Sequence, residues 1–257
     1  MASKYNKLQG KHVLIIGGTS GIGYAVAEAS LAAGAKVTVS SSSQARVEST
    51  VQKLKENFPN GTAAGHACDV SKPTVEQDLE ALFTKVGQVD HIVYTAGGKL
   101  SQLDLPDVTY EKLIAAGQIR FFAAFFAAKV GRKFLTPGPY SSIVFTTGTV
   151  SQKPIPGWSA LAGYGGGLHA LTRNLALDLK PIRVNLVSPG AVETELWETG
   201  NKEADEKLKA MLDGVVKTLP TGRIAQPEDV AEAYLFLLKD PSVTGTVVDS
   251  NSGALLV

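Results

Sequence analysis

Short apolar runs and helix-like segments alternate along this chain almost without interruption. That alternation constrains the fold more than any other feature. "HVLIIG" (12–17), "KVTVS" (36–40), "GTAAGHACDV" (61–70), "VDHIVYTAG" (89–97), "SSIVFTT" (141–147), "IRVNLVSPG" (182–190) and "GTVVDS" (245–250) carry strands. Helical patterns lie between them, at 21–34 with Gly34 as cap, 44–58, 75–87 and roughly 109–134. A fifth runs from Leu168 behind the glycine-rich head of 163–179, and a sixth spans 226–238, with Pro227 and two acids at its start. Strands this apolar are buried on both faces, which predicts a parallel sheet with helices on each side. The expectation is one α/β domain over 1–257: a Rossmann-type doubly wound sheet, strand order 3-2-1-4-5-6-7. A hydrophobic content of 44% against 19% charged residues can supply the core. Residues 195–217 are charged and helical in pattern and read as a lid over a substrate, lined by Leu196, Trp197 and Met211.

The charge balance excludes several functions. The formal net charge is +1, which favours neither nucleic acid nor an anionic membrane as partner. Cys68 is the single cysteine, and His12, His66, His91 and His169 lack metal-ligand spacing, so neither disulfides nor a metal site are expected. "MASKYNKLQGKH" has no secretory h-region, and "FFAAFFAA" (121–128) is too short to span a bilayer. A soluble, cytoplasmic protein is expected.

The segment "GGTSGIG" (17–23) follows the first strand and opens the first helix, the context that makes a glycine pattern specific. Gly17 permits the tight turn, Gly21 allows backbone N–H groups to approach a diphosphate, and Gly23 lets the helix pack closely. Thr19, Ser20 and Ile22 complete the turn, and the helix N-terminus adds its positive dipole. An NAD site carries an acid at the end of the second strand; here the stretch is "SSSSQAR" (40–46). Ser41, Ser42 and Arg46 suit a 2′-phosphate, so NADP(H) is expected over NAD(H).

These motifs, with "CDV" (68–70), "YTAGG" (94–98) and "RVNLVSPGAVET" (183–194), resemble the short-chain dehydrogenase/reductase family over about 10–250. The resemblance implies adenine contacts from Asp69 and Val70 and a cofactor-lining turn at Ala96 and Gly97. It puts Pro189 and Gly190 beside the nicotinamide, with Val192 and Thr194 on its carboxamide. Asn185 reads as structural. It also implies a homodimer or homotetramer assembled through "RFFAAFFAAK" and the fifth helix.

The family's chemistry resides in a Ser, a Tyr, a Lys four residues later and an Asn in the fourth helix. Aligning on "LTRNLALDL" and "YEKLIAAGQIRFF" places these at Gly148, Leu161, Gly165 and Gly117. All four functional side chains are absent. A second register, with Tyr164 thirteen residues after Ser151, puts Leu168 at the lysine position, so the lysine is missing there too. Gly117, Gly148 and Gly165 are expected to enlarge the pocket. The segments "IRFF", "TTGTVSQKPIPGW" and "PGAVETELW" resemble a noncanonical fungal subgroup, some of whose members reduce imines or shape cyclisations in secondary metabolism. The acid that some of them carry before the tryptophan has no counterpart in "KPIPGW".

Four side chains remain as catalytic candidates: Arg120, one turn beyond Gly117; Trp158, for stacking; Tyr164, the nearby phenol; and Thr147, beside the lost serine, with Thr149 as its neighbour. Four readings stand open. They are an NADPH-dependent reductase of an imine, iminium or activated alkene on a bulky metabolite, a non-redox isomerase or cyclase, an inactive dinucleotide-binding protein, and a carbonyl reductase using Tyr164.

Overall fold

The structure, a computed structural model, describes residues 4–98, 103–195, 212 and 214–257. Seven strands form one parallel sheet: β1 (His12–Ile16), β2 (Lys36–Ser41), β3 (Thr62–Ala67), β4 (His91–Tyr94), β5 (Ser142–Thr146), β6 (Arg183–Pro189) and β7 (Val247–Ser250). Their order is β3-β2-β1-β4-β5-β6-β7, as the alternation predicts. The pleat sends successive side chains to opposite faces. Leu14, Ile16, Ile92, Tyr94, Ile143 and Phe145 therefore enter one core, with Leu79, Leu82 and Phe83 of α3 (Val75–Val86). Val13, Ile15, Val93 and Val144 enter the other, with α1 (Gly21–Ala32), α2 (Gln44–Asn57) and a C-terminal helix over Pro227–Lys239.

The long helix expected over 109–134 is interrupted. α4 (Tyr110–Gly117) and α5 (Ala123–Gly131) are joined by a π-helical turn, Gln118–Phe122. The buried Tyr94 hydroxyl donates to the Ile119 carbonyl at 2.6 Å, drawing that acceptor out of the helical ladder. By length and composition, Tyr110–Gly131 could cross a bilayer, which corrects the expectation that no segment could. In this fold Ala123, Ala124, Ala127 and Ala128 of α5 are core residues against the sheet.

The fifth helix, α6, spans Ser159–Asp178 and so starts well before Leu168. Four glycines lie inside it, although each costs about 1 kcal/mol relative to alanine. Close packing explains Gly167, where a Cβ would lie 2.9 Å from the Phe121 ring, and bears on Gly165, where it would lie 3.1 Å from Thr147 Oγ1; nothing packs within 4 Å of a Cβ at Gly163. The helix over Pro227–Lys239 is α7. Its C-terminal carbonyls are capped by Arg183 of β6, whose Nη1 donates to Leu237 O at 2.6 Å and Nη2 to Leu238 O at 3.1 Å.

Beside Arg183, His91 is buried in the sheet, with Nδ1 2.9 Å from Ser142 Oγ. Burial, reinforced by the Arg183 charge, lowers its pKa to about 3 from 6.5. The unfolded chain therefore takes up a proton between these values that the folded chain refuses. The His91 contribution is complete above about pH 6.5 and is lost as pH falls towards 3, at roughly 1.4 kcal/mol per pH unit. Urea midpoints at pH 7 and pH 5 should show this fall, and His91→Gln should flatten it. An equal slope in the variant would contradict the assignment.

Candidate active site

A cleft of about 1250 Å³ runs along the carboxyl ends of the strands. It crosses the β1–β4 boundary, where the strand order reverses and open α/β sheets place their ligands.

At one end, Gly17 holds φ +94°, and its amide and that of Gly18 donate to Ser40 O at 2.8 and 3.2 Å. A Cβ on Gly17 would lie 2.4 Å from the Ala96 nitrogen, so the turns after β1 and β4 pack backbone on backbone. A Cβ on Gly23 would meet the Gly17 carbonyl at 2.2 Å, which is why the helix start can sit on the turn. Thr19, Ser20, Gly21 and Ile22 border the cleft at the N-terminus of α1. Ser41, Ser42 and Arg46 border it at the end of β2, where Arg46 Nη2 donates to Ser42 Oγ at 3.1 Å. Ser43 caps α2 by accepting from the Arg46 amide at 3.4 Å.

Asp69 accepts from the Ser71 hydroxyl at 2.6 Å, which holds its carboxyl below the usual range. Val70, Ala96, Gly97, Pro189, Gly190, Val192 and Thr194 also border the cleft. Every residue expected to bind the cofactor thus lies on one concave surface. Its glycine cradle, which Cβ atoms would obstruct, fits a dinucleotide. Asn185 does not belong to it: it donates to Val243 O at 2.9 Å and accepts from the Thr246 amide at 3.1 Å, tying β6 to the segment before β7.

At the other end, Gly148, Leu161 and Gly165 share the cleft wall. A Cβ on Gly148 would meet only Pro189 O, at 3.8 Å. At Gly165 it would lie 3.1 Å from Thr147 Oγ1 and 3.3 Å from Ser151 Cβ, so the space around that position is largely taken. Gly117 departs from expectation. It does not border the cleft, and a Cβ there would lie 2.4 Å from Tyr164 Cζ. The glycine makes room for the tyrosine ring, not for a substrate.

The four catalytic candidates separate accordingly. Tyr164 lies outside the cleft lining, packs against Phe121 and Phe122, and donates its hydroxyl to Leu113 O at 3.1 Å. Thr147 lines the cleft, but its hydroxyl donates to Gly165 O at 3.0 Å, so its proton is directed at α6. Arg120 borders the cleft from the π turn; it lies against Gly97, and its Nη2 donates to Gly98 O at 2.5 Å. Burial pulls its pKa below the usual arginine range. Trp158, the residue before α6, borders the cleft with Ile155 and Pro156.

Of the expected lid, Leu196, Trp197 and Met211 lie outside the described residues, whereas Glu195, Leu212 and Val215 border the cleft, as do Thr218 and Leu219 just beyond the lid segment. Lys153, the first residue of "KPIPGW", also borders it, as do Ala254 and Val257, which no sequence motif contains.

The "SDR-like rossmann domain" family model matches residues 4–257. The short-chain dehydrogenase/reductase malC of Malbranchea aurantiaca is 40% identical over 256 residues, covering 97% of this chain and 96% of the relative. A solved structure described as a MalC reductase/Diels-Alderase superposes with a TM-score of 0.91 at 39% identity, covering 99% of both chains. An NADPH-bound short-chain oxidoreductase from Pseudomonas aeruginosa, described as having an atypical catalytic centre, superposes with a TM-score of 0.83 at 27% identity. It covers 95% of this chain and 96% of that one.

Proposed function

This chain belongs to the short-chain dehydrogenase/reductase family, and from that premise we propose an NADP(H)-dependent reductase that works without the family's usual proton relay. Its substrate is an iminium ion on a bulky, apolar metabolite; a neutral imine or an activated alkene in the same cleft would take its proton from solvent. The observation that carries this reading is the contrast between the two ends of the cleft. The nucleotide end is complete, whereas Gly148, Leu161 and Gly165 offer the reacting end neither hydroxyl, phenol nor ammonium.

When bound, NADPH supplies a hydride to the substrate. The amides from Thr19 to Ile22, at the start of α1, would hold its diphosphate. Arg46 and Ser42 take the 2′-phosphate, a preference supported by the missing acid at the end of β2 and by the NADPH-bound relative. Asp69 and Val70 contact the adenine, and Val192 and Thr194 the carboxamide. Trp158 offers a face for an aromatic substrate, and Arg120, steadied by Gly98 O, holds an acceptor oxygen.

Reduction of a ketone builds charge on an alkoxide, and losing its donor costs about 3–4 kcal/mol of barrier. An iminium ion is already cationic and becomes a neutral amine without any proton being delivered. The site is therefore suited to the second reaction. Outward-facing Phe125 on α5 and Leu177 on α6 support assembly as a homodimer or homotetramer.

A second reading is favoured by the reductase/Diels-Alderase description of the MalC structure: the same cleft guides a cyclisation with no net hydride transfer. NADPH deuterated at either face of C4, offered with a panel of cyclic imines and iminium ions, separates the two. Label from one face and not the other is expected in the product. An unlabelled product would favour the cyclase, and no turnover with NADPH bound would overturn both.

A further inference from the structure

We propose that the Pro189 carbonyl, uncovered beside Gly148, accepts a hydrogen bond from the N–H of the substrate's iminium group. The site then selects a protonated imine over an N-alkylated iminium ion. The inference rests on the reductase reading and names its substrate class more closely.

The carbonyl is left over by the sheet. β5 and β6 pair only as far as Thr146 and Val187, and the Thr147 amide then donates to Val187 O at 2.9 Å. Carbonyls along a strand face its two neighbours alternately, so Pro189 O, two residues on, faces the same side as Val187 O. The pairing of this end with β7 uses the Gly190 amide instead, which donates to Ser250 O at 3.0 Å. On the β5 side the chain has turned away at Gly148. A Cβ there would lie 3.8 Å from Pro189 O and within 4 Å of nothing else. Both residues border the cleft.

The neighbouring hydroxyls direct their protons into the protein. That of Ser151 donates to Gly148 O at 2.7 Å, which occupies the carbonyl of Gly148 itself. Those of Thr146, Thr147 and Thr218 donate to Tyr94 O at 2.7 Å, Gly165 O at 3.0 Å and Val215 O at 2.8 Å. The hydroxyl of Thr149 can donate or accept and so favours neither class of ligand. Where a serine would present a hydroxyl, this chain presents a carbonyl, which only accepts. A ketone oxygen has no proton to give it. An iminium N–H has one, and the positive charge strengthens the bond.

The test titrates NADP⁺-loaded protein calorimetrically with two planar cations of equal charge. One is 3,4-dihydroisoquinolinium, at a pH that keeps its nitrogen protonated; the other is its N-methyl derivative, which has no N–H. The native protein should bind the first about tenfold more tightly. Gly148→Ala lays a methyl against Pro189 O, and the extended backbone of residue 148, φ −169° and ψ 164°, accepts alanine without strain. In that variant the two affinities should fall within about twofold of each other. If the preference reflected only room for the N-methyl group, the added methyl would widen it. Equal affinities in the native protein, or a preference that persists or widens in Gly148→Ala, overturn the proposal. If neither cation binds while fluorescence shows NADPH seated, the proposal also fails, and the reductase reading is left to its label-transfer test. Conversely, an N–H preference that Gly148→Ala removes, without label transfer, supports this subsite and removes the reductase reading.

Discussion

Gly17→Ala should bind NADPH at least about thirtyfold more weakly than the native protein, since two costs fall on the turn that carries the phosphate-binding amides. A left-handed backbone costs a residue with a Cβ roughly 1–2 kcal/mol, and Gly17 sits at φ +94°. The new methyl would also lie 2.4 Å from the Ala96 nitrogen and 2.6 Å from its Cα. Neither atom belongs to a flexible side chain, so the two turns must separate, at about 1–3 kcal/mol. Gly10→Ala is the control: it shares the positive φ, +73°, but nothing lies within 4 Å of its added carbon. It should lose a little stability and keep its affinity. Fluorescence titration with NADPH, alongside circular dichroism to verify the fold, decides the matter. Native-like affinity in Gly17→Ala would show that this turn does not hold the nucleotide.

Arg183→Met should destabilise the fold by about 3–5 kcal/mol without touching the cleft. Arg183 is 2% exposed, and its guanidinium donates to four carbonyls, those of Pro139, Leu237, Leu238 and Val243. Methionine fills much of the volume but supplies no donor, leaving buried acceptors unpaired at about 1–3 kcal/mol each. Two of them are the last carbonyls of α7, so that helix end should fray first. Arg223→Met, which removes a solvent-exposed partner of Asp229, should leave the denaturation midpoint nearly unchanged. Urea unfolding of both variants distinguishes a buried cap from ordinary surface charge. A loss below about 1 kcal/mol in Arg183→Met would mean that water replaces the lost donors.

The sheet and the glycine turn after β1 are legible in the sequence because their determinants are local. A strand announces itself through consecutive apolar residues, and the glycine turn is contiguous with the strand and helix it joins. The errors arose where distant residues decide. The π turn at Gln118–Phe122 depends on a hydroxyl from Tyr94, on another element. Gly117 read as added pocket volume because the spacing does not reveal that Tyr164, from α6, covers it. The glycines of α6 suggested a late helix start, as propensity alone would have it, but close approach to Phe121 outweighs propensity. Gly148, Leu161 and Gly165, which the resemblance puts at the Ser, Tyr and Lys positions, converge on one wall of the cleft.

The crowding at Gly165 and Gly117 bears on what each position can accept. A Cβ at Gly165 would press on Thr147 Oγ1 at 3.1 Å and Ser151 Cβ at 3.3 Å, so a side chain there asks its neighbours for a small adjustment. At Gly117 it would meet the Tyr164 ring at 2.4 Å, so a larger residue must swing the tyrosine away and break its hydrogen bond to Leu113 O. Refitting this wall is therefore unequal work: one position yields to a nudge, the other only to the eviction of an aromatic ring.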